Sequence, residues 1–273
     1  MNYRVGFIGG GNMAEAFISA FVEGEFLPPG NIFVSDVRPE RLKELQTLYG
    51  VNTTLNNSEV VLNSDILFLA VKPQVMPAVL REIAEVVTPA QVVVSMAAGF
   101  PMRSIEALLG DDKKIARIMP NIMVKVRSGV VAYCDNSRLL DEERERVLSL
   151  LEVTGAVFRL SESLFDAVTA VAGSSPAFFF AIIEAACDGA VKVGLPRDVA
   201  KEMVLKVLEG CVKMAADEHP EVLKDRVTSP AGTTIEGLFA LERGGVRASI
   251  IEAVSAACRR SKEISDLIEK SLG

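Results

Sequence analysis

The chain has 273 residues, of which 49% are apolar, 24% charged and 6% aromatic, enough for one large or two modest domains and too apolar for a disordered polymer. Lys and Arg number 29 against 36 Asp and Glu, a net charge of −7 that repels phosphate backbones and anionic lipid, so neither a nucleic-acid nor a membrane-surface partner is expected. The four cysteines stand singly, without CxxC spacing, and His219 is the sole histidine. Zinc sites, disulfide frameworks and Ser-His-Asp chemistry lack their residues, so no metal is expected and the cysteines read as reduced, in a cytoplasmic protein. The longest uninterrupted apolar run, residues 177–183, is far short of a membrane span, and Met1 leads straight into a strand-like segment that leaves no room for a cleavable signal.

Strand-length apolar runs occur at 4–8, 32–35, 66–71, 92–96, 115–119 and 129–133. Helical patterns at 12–22, 39–49, 75–86 and 102–109 separate most of them; a helix at 141–152 and a short strand at 156–160 follow. Continuous Val/Ile/Leu strands alternating with amphipathic helices predict a doubly wound parallel sheet covered on both faces. From about Ser161 only helical patterns follow, at 164–172, 176–193, 197–217, 233–243 and 246–268, punctuated by Gly and Pro. The expected organisation is an α/β fold, with a dinucleotide-binding domain at 1–160 and an all-α domain at 161–273. Ala177 to Ile183 place apolar groups on every side of the second of these late helices, the one at 176–193, which must therefore be buried all round. A helical half this small can rarely bury it alone; it reads either as the central helix of the monomer or, the favoured reading, as a helix shared with a second subunit, with Ala185, Ala186, Gly189 and Ala190 permitting close approach.

The strongest local signal is Gly9-x-Gly11-x-x-Ala14 between the first strand and first helix. Gly9 allows a tight turn, Gly11 lets a pyrophosphate approach backbone N–H groups, and Ala14 lets the helix lie close to the strand, whose partner helix N-terminus favours the phosphates. Asp36, after Ser35 at the end of the second strand, suits the adenosine ribose hydroxyls and repels a 2′-phosphate, favouring NADH; Arg38 and Arg41 close behind could instead pair with that phosphate and favour NADPH. Ala70-Val71-Lys72-Pro73, Ala97-Ala98-Gly99 and Met119-Pro120-Asn121 end later strands at the edge where ligands bind, with Asn121 offering an amide. Gly173-Ser174-Ser175-Pro176 leads into the apolar helix, where serine is ordinarily a cap. Thr228-Ser229-Pro230-Ala231-Gly232-Thr233-Thr234 gathers more hydroxyls than a cap needs and suits a carboxylate held at a helix N-terminus.

In these motifs, Val5 to Met13, Ala70 to Pro73, Ala97 to Gly99, Met119 to Asn121, Gly173 to Ala177 and Thr228 to Thr234, the sequence resembles the Δ1-pyrroline-5-carboxylate reductase family over essentially its whole length. The resemblance, within the superfamily sharing a 6-phosphogluconate-dehydrogenase-like C-terminal domain, implies a Rossmann domain followed by a helical domain that interlocks in a homodimer, often assembled into decamers. It implies NADPH or NADH bound by Gly9, Gly10, Gly11, Asn12 and Met13, by Ser35, Asp36, Arg38 and Asn57, and by Ala70, Val71, Lys72, Pro73, Ala97, Ala98 and Gly99. It implies substrate binding by Ser229, Gly232, Thr233 and Thr234, with Thr234 near the ring nitrogen, and Glu162 at a looser position beside the substrate. The sequence departs from the family where Ala231 and Ser175 replace glycines, where Ile122-Met123 replace Thr-Pro, and where Asp36 replaces a small or amide residue.

The implied reaction is hydride transfer to C5 of a cyclic imine carboxylate, giving L-proline. A protonated C=N bond is already electrophilic, which fits a chain so poor in histidine. Two other readings stay open on the residues alone: a β-hydroxyacid dehydrogenase, which would need a crevice lysine such as Lys192, Lys201 or Lys206, and a non-catalytic dinucleotide sensor. His219, before Pro220, reads as a loop residue.

Overall fold

A computed structural model describes residues 3–272. The chain forms two compact units, one running to Gly173 and resuming at Ala257, the other spanning Ser174–Ala256. In the first unit the elements are β1 (Val5–Ile8), α1 (Asn12–Glu23), β2 (Ile32–Ser35), α2 (Pro39–Tyr49), β3 (Asn52–Thr54), α3 (Asn57–Leu62), β4 (Ile66–Leu69), α4 (Met76–Ile83), β5 (Val92–Ser95), α5 (Met102–Leu109), β6 (Lys114–Pro120), β7 (Gly129–Asp135), α6 (Asp141–Glu152), β8 (Gly155–Arg159) and α7 (Phe165–Val168). The strand order is β3-β2-β1-β4-β5-β6-β7-β8. The chain reverses its direction of build between β1 and β4, which opens a crevice beyond their carboxyl ends.

The first six strands are parallel, as expected, but β7 runs antiparallel to β6 and β8 follows β7. The expectation of a wholly parallel sheet is corrected by connection length. Residues 121–128 are fewer than the dozen or so that a parallel crossover needs, so the chain can only return beside β6 in the opposite sense. The sequence pattern also passed over β3 and α3. β3 reads Asn-Thr-Thr at the sheet edge with no apolar face to bury, and α3 is shorter than two turns.

The strands Val-Gly-Phe-Ile, Ile-Leu-Phe-Leu and Val-Val-Val-Ser of β1, β4 and β5 are buried at every position, as layers on both faces require. One face is closed by α1, α2 and α6 through Phe17, Phe21, Leu45 and Leu150, the other by α3, α4 and α5 through Val61, Leu80 and Ile105. Phe7 of β1 stacks on Phe68 of β4 at 5.0 Å, and Phe17 and Phe21 of α1 lie against Phe68 at 5.7 and 6.4 Å. This aromatic cluster fixes α1, and hence the turn before it, over the β1–β4 pair; truncating a buried phenylalanine of this kind costs about 3–5 kcal/mol.

The second unit is helical: α8 (Ser175–Lys192), α9 (Arg197–Ala215), α10 (Pro220–Arg226), α11 (Thr233–Arg243) and the start of α12 (Val246–Leu272). α10 was not expected; it is short, and His219 caps it, Nδ1 accepting the Glu221 N–H at 3.3 Å. Residues Thr169–Ser174 wind as wider π turns from α7 directly into α8, so Ser174 and Ser175 do not cap a free helix end as expected. Among the described residues, the helical stretch Glu162–Lys192 is long and apolar enough to cross a membrane by length and composition. That corrects the inference from the run 177–183, although a helix that packs against another chain passes the same test. Only Ser175, Pro176 and Cys187 of α8 are buried within the single chain, while Phe179 and Phe180 are 58% and 60% exposed, so complete burial is not achieved in one chain.

The last part of α12, from Ala257, packs on the first unit. Ile268 joins the α3–α5 face, Arg103 pairs with Glu269, and Ser261 and Ser265 donate to Asp166 at 2.7 and 3.3 Å.

Candidate active site

The turn between β1 and α1 is built from three glycines with different tasks. Gly9 has φ +99°, and a Cβ there would lie 2.8 Å from the Ala70 carbonyl oxygen, so no side chain is possible where the turn crosses the end of β4. Gly11 caps α1 with extended backbone; a Cβ on it would meet nothing within 4 Å, and no side chain caps the helix. The opening N–H groups of α1 are therefore left without a capping side chain, the donor array that a pyrophosphate needs. Gly10 is gripped on both sides: its N–H donates to Asp36 Oδ2 at 2.9 Å, and its carbonyl accepts from Arg41 Nε at 2.6 Å.

Asp36 has a side chain only 8% exposed, and its Oδ1 accepts from Arg38 N and Nε at 3.0 and 3.1 Å. Burial pushes its carboxyl up, but the hydrogen bonds from the Arg38 side chain and backbone and from Gly10 together outweigh this and hold it below the usual aspartate value. Arg41 also donates from Nη1 to Glu44 Oε2 at 2.7 Å and from Nη2 to Glu15, whose other oxygen accepts the Tyr49 hydroxyl at 3.1 Å. The Arg41 hydrogen bond holds the Glu15 carboxyl below its ordinary value against the opposing effect of burial.

A cleft of about 420 Å³ lies beside the turn. Gly9, Gly11, Ser35, Asp36, Arg38, Asn57, Ala70, Val71 and Lys72, all expected from the sequence, line it together. Ser35 Oγ donates to Asn57 Oδ1 at 2.7 Å, and Asn57 Nδ2 donates to Glu82 at 2.9 Å, so α3, unrecognised in the sequence, supplies a polar wall. Val37, Val75 and Val79 line it too; lone valines carry no chemical signal, although an apolar slot suits a planar base. Gly10, Asn12, Met13, Pro73, Ala97, Ala98 and Gly99 are not among the lining residues. Gly99, at φ +71°, is backed by α12: a Cβ on it would meet Ile264 Cγ2 at 3.1 Å.

Two further residues are already engaged. Buried Asn121 accepts the Val130 N–H on Oδ1 at 3.1 Å, bracing the β6–β7 connection, so its oxygen is not the free amide group expected. Glu162 Oε1 accepts both the Met102 N–H at 2.7 Å and Arg117 Nη1 at 2.8 Å, which ties the start of α5 to β6; it does not line the cleft.

In the second unit, Ser229 to Gly232 form a tight turn, with Gly232 N–H donating to the Ser229 carbonyl at 3.1 Å. A Cβ on Gly232 would sit 2.3 Å from Ser229 Oγ. Gly232 caps α11 without any side-chain hydrogen bond, leaving the N–H groups ahead of Thr233 and Thr234 without a side-chain acceptor. Ala231, where the family commonly has glycine, adopts φ +55°.

Two domain families match the chain: "Pyrroline-5-carboxylate reductase dimerisation" over residues 162–264 and "NADP oxidoreductase coenzyme F420-dependent" over residues 4–99. A pyrroline-5-carboxylate reductase of Methanosarcina acetivorans is 40% identical, covering 96% of this chain and 98% of its own, and that of Escherichia coli K12 is 37% identical over 97% and 99%. The chain belongs to the pyrroline-5-carboxylate reductase family. It is an NAD(P)H-dependent oxidoreductase of proline biosynthesis, and it self-associates through its helical region. Among solved structures, the Plasmodium falciparum enzyme with NADP bound superposes with a TM-score of 0.90 at 28% identity over 97% of this chain and 98% of that one. The Coxiella burnetii enzyme does so at 0.87 and 32% identity over 97% and 99%.

Two outcomes follow for the reductase. Ala in the left-handed region is strained, so Ala231→Gly is expected to raise the unfolding free energy by up to about 1 kcal/mol after the entropy of the added glycine is deducted, read as a higher urea midpoint. An unmoved or lowered midpoint contradicts strain at this position. The carboxyls of Glu15 and Asp36 are held below their unfolded values of about 4.3 and 3.9, so their stabilisation is complete above those values and is lost as pH falls through the folded ones. Thermal melts across this acid range should show Glu15→Gln flattening the stability loss; an identical acid limb in the variant contradicts the assignment.

Proposed function

We propose that residues 1–160 bind the nicotinamide dinucleotide and residues 161–273 bind the substrate and form a homodimer, with decamers as a further level of assembly, in the cytoplasm. The observation that carries this reading is the open, uncapped start of α1 beside a cleft lined by Ser35, Asp36 and Asn57. Gly9 and Gly10, whose N–H groups are held by the Ser35 carbonyl and by Asp36, shape the turn around the pyrophosphate, Gly11, Asn12 and Met13 present backbone donors to it, Asp36 takes the adenosine ribose, and Ala70 to Pro73 with Ala97 to Gly99 flank the remainder. Bound there, the reduced nicotinamide supplies the hydride that C5 of the imine accepts.

The substrate carboxylate is assigned to the N–H groups opening α11, with Ser229, Gly232 and Thr233 shaping the turn around it. Thr234 orients the ring nitrogen; a hydroxyl is too weak an acid to protonate it unaided, so its contribution is alignment, supplemented by a proton from water. For Glu162 we infer a supporting role, because Oε1 already carries two donors.

Cofactor preference follows from charge. The buried Asp36 carboxylate disfavours a second anion at the ribose 2′ position, which leans the enzyme toward NADH. Arg38, 59% exposed on the cleft wall, is the cation able to turn from Asp36 to a 2′-phosphate, so NADPH is also accepted.

Steady-state oxidation of NADH and of NADPH with pyrroline-5-carboxylate tests these assignments. Thr234→Ala is expected to lower kcat by roughly tenfold or more while dinucleotide affinity holds; unchanged turnover removes its role. Arg38→Ser is expected to lower the NADPH/NADH ratio of kcat/KM by about tenfold, the loss of one charge-assisted contact. A ratio that does not move shows that Arg38 does not reach the phosphate. Asp36→Ser should raise the ratio yet weaken both cofactors, since it also releases the Gly10 N–H.

A further inference from the structure

Arg41 lies in the first turn of α2, 11% exposed, and is not among the residues lining the cleft. By sequence position it was a second candidate for a 2′-phosphate. Each of its three guanidinium nitrogens donates a hydrogen bond: Nε to the Gly10 carbonyl, Nη1 to Glu44, Nη2 to Glu15. Glu15 belongs to α1, so the guanidinium ties the glycine turn to the helix that follows it and to α2 at once.

The Gly10 carbonyl and the Gly11 N–H belong to one trans peptide group and point in opposite directions. Holding the oxygen toward Arg41 therefore sends the Gly11 N–H away from α2. Asp36 does the same one peptide earlier through the Gly10 N–H. Gly10 and Gly11 lack Cβ atoms and tolerate several backbone conformations, so a peptide between them flips cheaply unless something outside the turn prevents it. We propose that Arg41 is a positioning residue that locks the Gly10–Gly11 peptide with its N–H turned to the dinucleotide pyrophosphate, and that it does not read the 2′-phosphate. This rests on the cleft being the dinucleotide site.

The test is titration of NADH and NADPH against the full-length wild-type protein, Arg41→Gln, Arg41→Lys and Arg38→Ser, with kcat measured at saturating dinucleotide. Arg41→Gln is expected to weaken both dinucleotides alike, by about tenfold, the worth of one hydrogen bond from a charged donor, while saturated kcat stays within about twofold. Arg38→Ser alone moves the ratio between them. A lysine can hold Gly10 or a carboxylate but cannot fork to all three acceptors, so Arg41→Lys should fall between wild type and Arg41→Gln, again equally for both. If Arg41→Gln shifts the NADPH/NADH ratio as Arg38→Ser does, Arg41 reads the phosphate and the inference is wrong. If the folded variant binds both with wild-type affinity, the clamp has no role in binding. Should Arg41→Gln not fold, Arg41→Lys decides by the same criteria, unchanged affinity or a changed ratio overturning the inference. Wild-type protein that binds neither dinucleotide would instead overturn the reading of the cleft itself.

Discussion

The passage of Gly9 across the end of β4 is the constraint on which the nucleotide half depends. With the Ala70 carbonyl only 2.8 Å from where a methyl would stand, the backbone can turn there only if it carries no side chain. The Phe7–Phe68 stack and the phenylalanines of α1 then press the helix onto the same two strands. Local conformation and core packing thus converge on one outcome, an uncapped helix N-terminus facing a cleft at the point where strand order reverses. Either alone would leave the donors poorly aimed. A permissive turn without the aromatic cluster has no fixed helix to aim, and the cluster without Gly9 has no turn to connect it.

The helical half obeys a different constraint. Its helices carry more apolar surface than a single copy can cover, and Phe179, Phe180, Phe239 and Ile251 stay more than half exposed in the chain by itself. Large apolar side chains left exposed on several helices are the kind of surface a protein interface covers. The dimerisation family matched over 162–264 covers these residues, so the same surplus that makes Glu162–Lys192 look suitable for a membrane has a simpler destination in a second copy of the chain.

Much of this was legible in the sequence, and the failures have physical causes. Pro39–Tyr49, Met102–Leu109 and Thr233–Arg243 are visible as helices because their periodic apolar faces fall between Gly and Pro boundaries. β3 was invisible because an edge strand of Asn and Thr has nothing to bury, and the direction of β7 was misread because apolar runs carry no sense of direction; only the connecting length does. Of the cleft residues, Ser35 and Asp36 stand at a strand end the sequence shows, whereas Asn57 is expected only from the family resemblance; their mutual bonding was not legible, since Asn57 reaches Ser35 only through the unrecognised α3. Asn121 shows the converse. A polar residue at the ligand-binding edge of a sheet looks functional until its amide is seen bracing the next turn.

Asp36 joins these strands of argument. It was singled out for what it would say to a ribose, but its Oδ2 also accepts the Gly10 N–H, so one carboxylate both discriminates the cofactor and holds the turn that binds every dinucleotide. The two tasks pull against each other when the charge is removed: relief of repulsion at the 2′ position comes with a freed glycine peptide. Arg38 and Arg41 divide the same problem differently. One is exposed and bonded to Asp36 alone among side chains, the other enclosed by two carboxylates and a carbonyl. A change of preference that spares binding is therefore accessible at Arg38, where the side chain can exchange its partner without disturbing the backbone, and is closed at Asp36 unless another acceptor takes over Gly10.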